Sequence, residues 1–343
     1  MDSRIINVDQ EFNGDLDKAI KAANDGDTVQ LGEKTYKTKG FGINKDITID
    51  GVPGKSVIDG NGTKESIITI NVDGAGSTIQ DVEITNGSSG INVLNASDVT
   101  LKNLEIHNIG IKQVDRSGVD NFGINLSVAD GFEILDSEIY DIGRKGVGVV
   151  DTDGGLIQGL TLDDINLDAN HAQSYDAAGI KLFNTNDVTV KDNKMSKINA
   201  FYLWDDLTSN TVIEGNEFTG VGDSFKAPDF NGNVTVAGMY IEKTYKTSVD
   251  NNTVTSVDDR RDGAGTFLAF DATRFSTETL DLGENNDFTN QSLNTKDYWA
   301  AQEAEKLIAT TEEPLEANFD LFSDEFYNGS SFGGDNGDGL VNN

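Results

Sequence analysis

A short unit, glycine or alanine followed by alternating apolar residues, recurs down most of this chain and restricts what it can fold into. It reads Gly90-Ile91-Asn92-Val93, Gly123-Ile124-Asn125-Leu126, Gly146-Val147-Gly148-Val149 and Gly179-Ile180-Lys181-Leu182. It continues as Ala200-Phe201-Tyr202-Leu203 and Gly238-Met239-Tyr240-Ile241, and Gly265 opens the last copy. The starts lie 33, 23, 33, 21, 38 and 27 residues apart. A second unit follows the first, as in Asp98-Val99-Thr100-Leu101, Asp187-Val188-Thr189-Val190 and Asn210-Thr211-Val212-Ile213. A third begins with asparagine: Asn193-Lys194-Met195, Asn216-Glu217-Phe218, Asn252-Thr253-Val254 and Asn286-Asp287-Phe288. Period-two alternation in short runs, punctuated by Asn, Asp and Gly, specifies short strands joined by polar turns.

Three strands per coil of about 22 residues is the arithmetic of a three-sided solenoid, in which each coil pairs only with its neighbours. The predicted fold is therefore all-β, a right-handed parallel β-helix. Alternate apolar residues fall into columns inside, and the residues between them face out. The Asn column is predicted to be structural, with Asn in the left-handed backbone of a tight corner and bonded to Asn in the next coil.

An open solenoid end would expose core and unpaired strand edges, so caps are expected. Leu16, Ala19, Ile20 and Ala23 have helical spacing, which predicts an N-terminal cap helix near 15–24. The segment runs on through Gly26-Asp27-Thr28 and resembles the opening of secreted parallel β-helix proteins. Trp299 to Ile308 reads as a second helix. The expected division is a β-helix over 1–290, a C-terminal cap over 291–330, and a Gly/Asp linker or the start of an RTX-like repeat over 331–343.

With 59 acidic against 26 basic residues, the chain has a formal charge of −33. That field repels phosphate backbones and anionic membranes, and no apolar run reaches the length of a membrane span, so neither nucleic acid nor membrane insertion is expected. It favours cations such as Ca²⁺. There is no Cys, which excludes disulfides and thiolate metal sites. The start, Met1-Asp2-Ser3-Arg4, shows no secretory signal. A cytosolic location, prior removal of a signal, or export directed from the C-terminus all fit. The segment Gly333-Gly334-Asp335-Asn336-Gly337-Asp338-Gly339-Leu340-Val341 resembles one RTX nonapeptide, with Asn336 where the pattern has Gly. That resemblance implies Ca²⁺ at Asp335 and Asp338 and extracellular delivery by type I export; the plainer reading is a flexible linker.

The expected outward residues of the first unit are Asn92, Asn125, Gly148, Lys181, Tyr202 with Trp204, and Tyr240 with Glu242. The early coils thus present amides, and the later ones aromatic and charged groups. Loops feeding the same face carry His171, Tyr175, Lys226, Arg260 and Arg261, and Lys243 follows Glu242. Cations in so acidic a chain are informative: they neutralise uronate carboxylates, while exposed Tyr and Trp rings stack on sugars. Asp205 and Asp206 read as carboxylate catalysts, Ca²⁺ ligands or a turn.

The architecture is similar to that of the secreted β-helix polysaccharide lyases and mannuronan C5-epimerases. The epimerases' Asp-Pro-His, the pectate lyases' Arg-x-Pro-x-x-Arg and a polygalacturonase-like Asn-Thr-Asp are not matched. The resemblance implies an extracellular, monomeric, carbohydrate-active protein acting on an acidic polysaccharide by lyase or C5-epimerase chemistry, with no organic cofactor. Lys181, Arg260 and Arg261 are then expected to neutralise the carboxylate. Tyr202, Tyr240 and His171 are expected to move protons, and Trp204, Tyr175, Glu242, Lys243 and Lys226 to bind substrate. A non-catalytic adhesin or surface-layer module, and a glycoside hydrolase, are the alternatives.

Overall fold

The computed structural model describes residues 3–110, 121–165, 177–198, 201–221, 238–242, 244–257, 266–271, 280–283, 285–286 and 292–294. Every strand pairing among these residues is parallel, and each links one coil to the next. The chain winds as a parallel β-helix with three walls. The first wall contains the glycine-initiated strands, the second those of the Asp-Val-Thr-Leu type, and the third those that follow the asparagines.

The inward positions form one continuous core. On the first wall Ile43, Ile70, Val93, Leu126, Val149 and Leu182 stack in sequence, all fully buried. Strand pleating puts each of these on the inner face, and the hydrogen-bond ladder sets them one coil apart. Glycine opens the first-wall strand because the next coil comes close there. A Cβ on Gly123 would lie 2.7 Å from the carbonyl oxygen of Gly146, and one on Gly146 would lie 2.6 Å from that of Gly179.

The asparagine column is present as expected. Asn193, Asn216, Asn252 and Asn286 bond in series, each Nδ2 donating to the next Oδ1 at 2.9, 2.9 and 3.2 Å. Each Oδ1 also accepts the backbone N–H of the Asn before it, so the ladder satisfies groups that the corner would otherwise bury unpaired. The backbone detail differs from expectation. None of these Asn residues is left-handed; the residue before each corner carries the positive φ, as at Asp192 (55°), Gly215 (66°) and Asn251 (55°). The ladder Asn follows that left-handed residue, and its amide bonds from coil to coil along the axis.

At the N-terminus, helix Leu16–Ala22 buries Leu16, Ala19 and Ile20 against the core, as the spacing predicts. The Asp15 carboxylate caps it by accepting from Lys18 N at 3.0 Å. At the other end the Lys45 ammonium donates to the carbonyl of Lys21 at 2.8 Å and to that of Ala23. The second cap, Trp299 to Ile308, and the Gly/Asp segment with Asp335 and Asp338 lie outside the described residues.

Candidate functional site on the first wall

The register places one outward column along the first wall: Thr69, Asn92, Asn125, Gly148, Lys181, Trp204 and Tyr240. Two features of this column stand out. Its early part is amide: Asn125 Nδ2 donates to Asn92 Oδ1 at 2.7 Å, while the buried Asn125 Oδ1 has no partner. Its later part is aromatic and cationic.

There, Lys181 Nζ lies 3.7 Å from the Trp204 ring centroid and 5.6 Å from that of Phe183. Phe201 completes an aromatic platform, edge-on to Trp204 at 5.0 Å and stacked on Tyr240 at 5.1 Å. Phe201, Lys181, Trp204 and Tyr240 are all half-buried, held by their neighbours yet open on one side. A parallel column, one turn position earlier, runs Phe122, Lys145, Ala178 and Phe201. Lys145 Nζ sits 4.9 Å from the Phe122 centroid, and the Phe122 ring lies across the space that Gly148 leaves bare. Two lysines on adjacent coils therefore share this wall with five aromatic rings, Lys145 and Phe122 being buried and Lys181 half-buried.

Lys181, Trp204 and Tyr240 are thus brought together as expected. Tyr202 is not. It is fully buried, its hydroxyl donates to Thr219 O at 2.8 Å, and its ring packs near Phe218 at 6.1 Å. The reason is register. Leu203 pairs with Ile180 and Trp204 with Lys181, so Tyr202 occupies the slot held by Gly179 on the preceding coil and turns inward. Residues 202 and 203 both face the core, which breaks the alternation on which the outward assignment relied.

Asp205 and Asp206 do not form a surface metal pair. Asp205 is inward, between Leu182 and Ile241, and fully buried; Asp206 lies in register with Phe183 and Glu242. Burial pushes the Asp205 carboxyl up to about 7, with the Asp206 charge adding to the rise and the hydroxyls of Thr208, Thr247 and Thr211 opposing it. Among the described residues no group of three or more His, Asp or Glu has metal-binding geometry. Glu242 ends the same strand as Tyr240. His171, Tyr175, Lys226, Lys243, Arg260 and Arg261 lie outside the described residues.

Phe201, Phe122 and Lys145 were missed in the sequence. Their signal is the position just before the inward glycine, legible once the register is known. A further titratable group lies on the third wall, where His107 stacks flat on Tyr140 at 4.9 Å. His107 Nε2 faces Glu83 Oε1 at 3.1 Å and Nδ1 faces Asn108 Nδ2 at 2.6 Å, so both ring nitrogens are engaged. Tyr140 donates to Glu105 Oε1 at 2.6 Å, and burial together with that carboxylate holds the phenol protonated. This cluster clips coils together.

Coils of three parallel strands around a continuous core define a β-helix whose first wall carries a half-buried cation–aromatic cluster. The family described as right handed beta helix region matches residues 47–218, half of the chain, and the protein belongs to it. No curated protein sequence matches the chain. Among solved structures, the catalytic domain of a GH87 alpha-1,3-glucanase in complex with tetrasaccharides superposes with a TM-score of 0.55 at 11% identity. That match covers 83% of this chain and 58% of the glucanase chain. Full-length tailspike protein 2 from an Escherichia coli O157:H7 bacteriophage gives 0.50 at 12% identity, over 78% of this chain and 40% of its own. An alginate lyase from Paenibacillus sp. str. FPU-7 gives 0.49 at 18%, over 83% and 99%. The chain therefore spans less than two thirds of the glucanase and tailspike chains; what is shared with these structures is the fold.

Proposed function

We propose that the protein is an extracellular carbohydrate-active β-helix that takes an acidic, uronate-containing polysaccharide along its first wall and modifies it by lyase or C5-epimerase chemistry. The observation that supports this is Lys181 set over Trp204, beside the Phe201–Tyr240 stack. A cation held on an aromatic face is oriented and partly desolvated, which strengthens its pairing with a carboxylate. Ring faces beside it give sugar rings an apolar contact.

In this reading the Lys181 ammonium pairs with the uronate carboxylate, which acidifies the C5 proton and stabilises the charge left when it departs. Tyr240, one coil beyond Trp204 in the same outward column, is the group proposed to transfer that proton. Trp204 stacks on the adjoining sugar. His171, Arg260 and Arg261 are the further proton-transfer and carboxylate groups proposed from the sequence, and Ca²⁺ is proposed at Asp335 and Asp338.

The prebuilt aromatic platform also suits binding without turnover, as in an adhesin. Incubation with alginate and polygalacturonate separates the two. Unsaturated uronyl absorbance marks a lyase, and NMR of the recovered polymer marks an epimerase. Retardation of the protein in a uronan gel with no chemical change marks a binding module. Unaltered polymer with no retardation, with and without added Ca²⁺, rules out the whole reading.

A further inference from the structure

The interior changes chemistry at one corner. Three inward positions recur where the first wall turns into the second. In earlier coils they are Val93, Ala96 and Val99, then Leu126, Ala129 and Phe132. In later coils they become Asp205, Thr208 and Thr211, then Ile241, Thr244 and Thr247. Asp205, Thr211 and Thr247 are wholly buried, and Thr208 and Thr244 are 4% and 1% exposed. Bridges from Asn186 to Ser209 and from Ser209 to Tyr245 set Thr185, Thr208 and Thr244 one above another.

Their hydrogen bonds do not close. The Asp205 carboxylate accepts from Thr247 at 3.1 Å and from Thr211 at a long 3.4 Å. The Thr208 hydroxyl also stabilises that charge, whereas the Oγ1 atoms of Thr185 and Thr244, on the coils either side of it, have no hydrogen-bond partner. Backbone alone can satisfy a threonine in this column. Thr152 shows how, donating to Val150 O at 2.9 Å and accepting from Ala129 N at 3.2 Å. Thr185 and Thr244 lack that backbone pairing, and the column they form with Thr208 runs past a buried carboxylate. Buried polar groups in native proteins are paired, and buried charges are balanced.

We propose that this corner binds a monovalent cation, Na⁺ or K⁺, held by the Asp205 carboxylate and the threonine hydroxyls stacked beside it. The donor set is all hard oxygen, which excludes soft metals. One carboxylate balances one positive charge, whereas Ca²⁺ sites gather several and Mg²⁺ retains its water. Protonation of Asp205 would remove the charge but leave Thr185 and Thr244 unpartnered. Water would pair the hydroxyls but leave the charge unbalanced. A small cation balances the charge and engages the hydroxyl lone pairs together.

The test is denaturant unfolding and refolding at pH 8 in NaCl, KCl or tetramethylammonium chloride at equal ionic strength, on the wild-type chain and on Asp205→Asn. The expected result is a higher midpoint in NaCl or KCl than in the bulky cation, and loss of that difference in Asp205→Asn. Equal midpoints in all three salts, or an ion-specific shift that persists undiminished in the variant, overturn the proposal. Should Asp205→Asn not fold, Tl⁺ soaked into wild-type crystals decides: an anomalous peak beside Asp205 supports the site, and its absence there overturns it.

Discussion

Lys181 and Trp204 sit on successive coils of one wall, 23 residues apart in sequence, with the ammonium 3.7 Å from the indole centroid. Parallel pairing of the two strands puts both side chains outward at the same height. Neither the lysine nor the tryptophan alone marks a site; the register makes them one.

Trp204→Ala removes both the stacking face and the seat of Lys181. Uronan affinity should fall by about tenfold, on the scale of the ~1–2 kcal/mol of a partly desolvated cation–π contact. Lys181→Ala should weaken uronans by a similar factor and leave a neutral glucan unaffected. Gel retardation on both polymers measures each effect. Equal loss on neutral and acidic polymers would refute the carboxylate role of Lys181.

Salt provides an independent check. The chain's charge of −33 repels a polyanion at long range, while the lysine contact acts at short range. Raising ionic strength toward about 0.1 M, where the Debye length falls to about 10 Å, should screen the repulsion first. Uronan affinity should therefore rise with moderate salt, opposite to the behaviour of a basic polyanion-binding surface. A monotonic fall from the lowest salt would contradict this balance.

Asn216→Ala breaks the asparagine ladder in its middle. Asn216 Oδ1 accepts from the backbone and side chain of Asn193, and its Nδ2 donates to Val190 O and Asn252 Oδ1. The substitution leaves the Asn193 N–H and the Val190 carbonyl buried without their partner, at roughly 1–3 kcal/mol each. Unfolding in urea should shift accordingly, whereas the exposed Asn251→Ala should have little effect.

Asp205 ties stability to pH. The native carboxyl is raised to about 7, and the unfolded one titrates near 3.9. Between those values the native state binds more protons than the unfolded state, so stability falls as pH rises through that window and levels off above it. Measured in tetramethylammonium salts, the wild-type chain should lose stability from about pH 4 to about pH 7 by more than Asp205→Asn does. Parallel pH profiles for the two would show that Asp205 is not the group responsible.

Much of the architecture is legible in the sequence because a solenoid repeats its physics. Each Gly-Ile-x-Val or Asn-x-apolar unit solves the same local problem, and the copies confirm one another. The asparagine column could be read down to its individual members. Half of the first-wall face could be read too, since Lys181 and Tyr240 sit in clean copies of the unit. Tyr202 failed because its copy is imperfect: the alanine at 200 imitates the initiating glycine, while the pairing runs through Leu203. Phe201 was misplaced with it, as a member of the same copy, and Lys145 was invisible because it precedes its unit.

Alternation and turn residues by themselves determined that this chain makes short parallel strands, stacks them in coils and buries alternate positions, because those preferences are local and act within a few residues. Only the tertiary structure decided which coil lies on which, and with it that Tyr202 and Asp205 go inside while Phe201 joins Trp204 and Tyr240 outside. Coil lengths vary between neighbours, and a two-residue slip costs nothing in period-two alternation. What separates the registers is the close approach of backbones at the glycine corner, a contact between coils that no single segment contains.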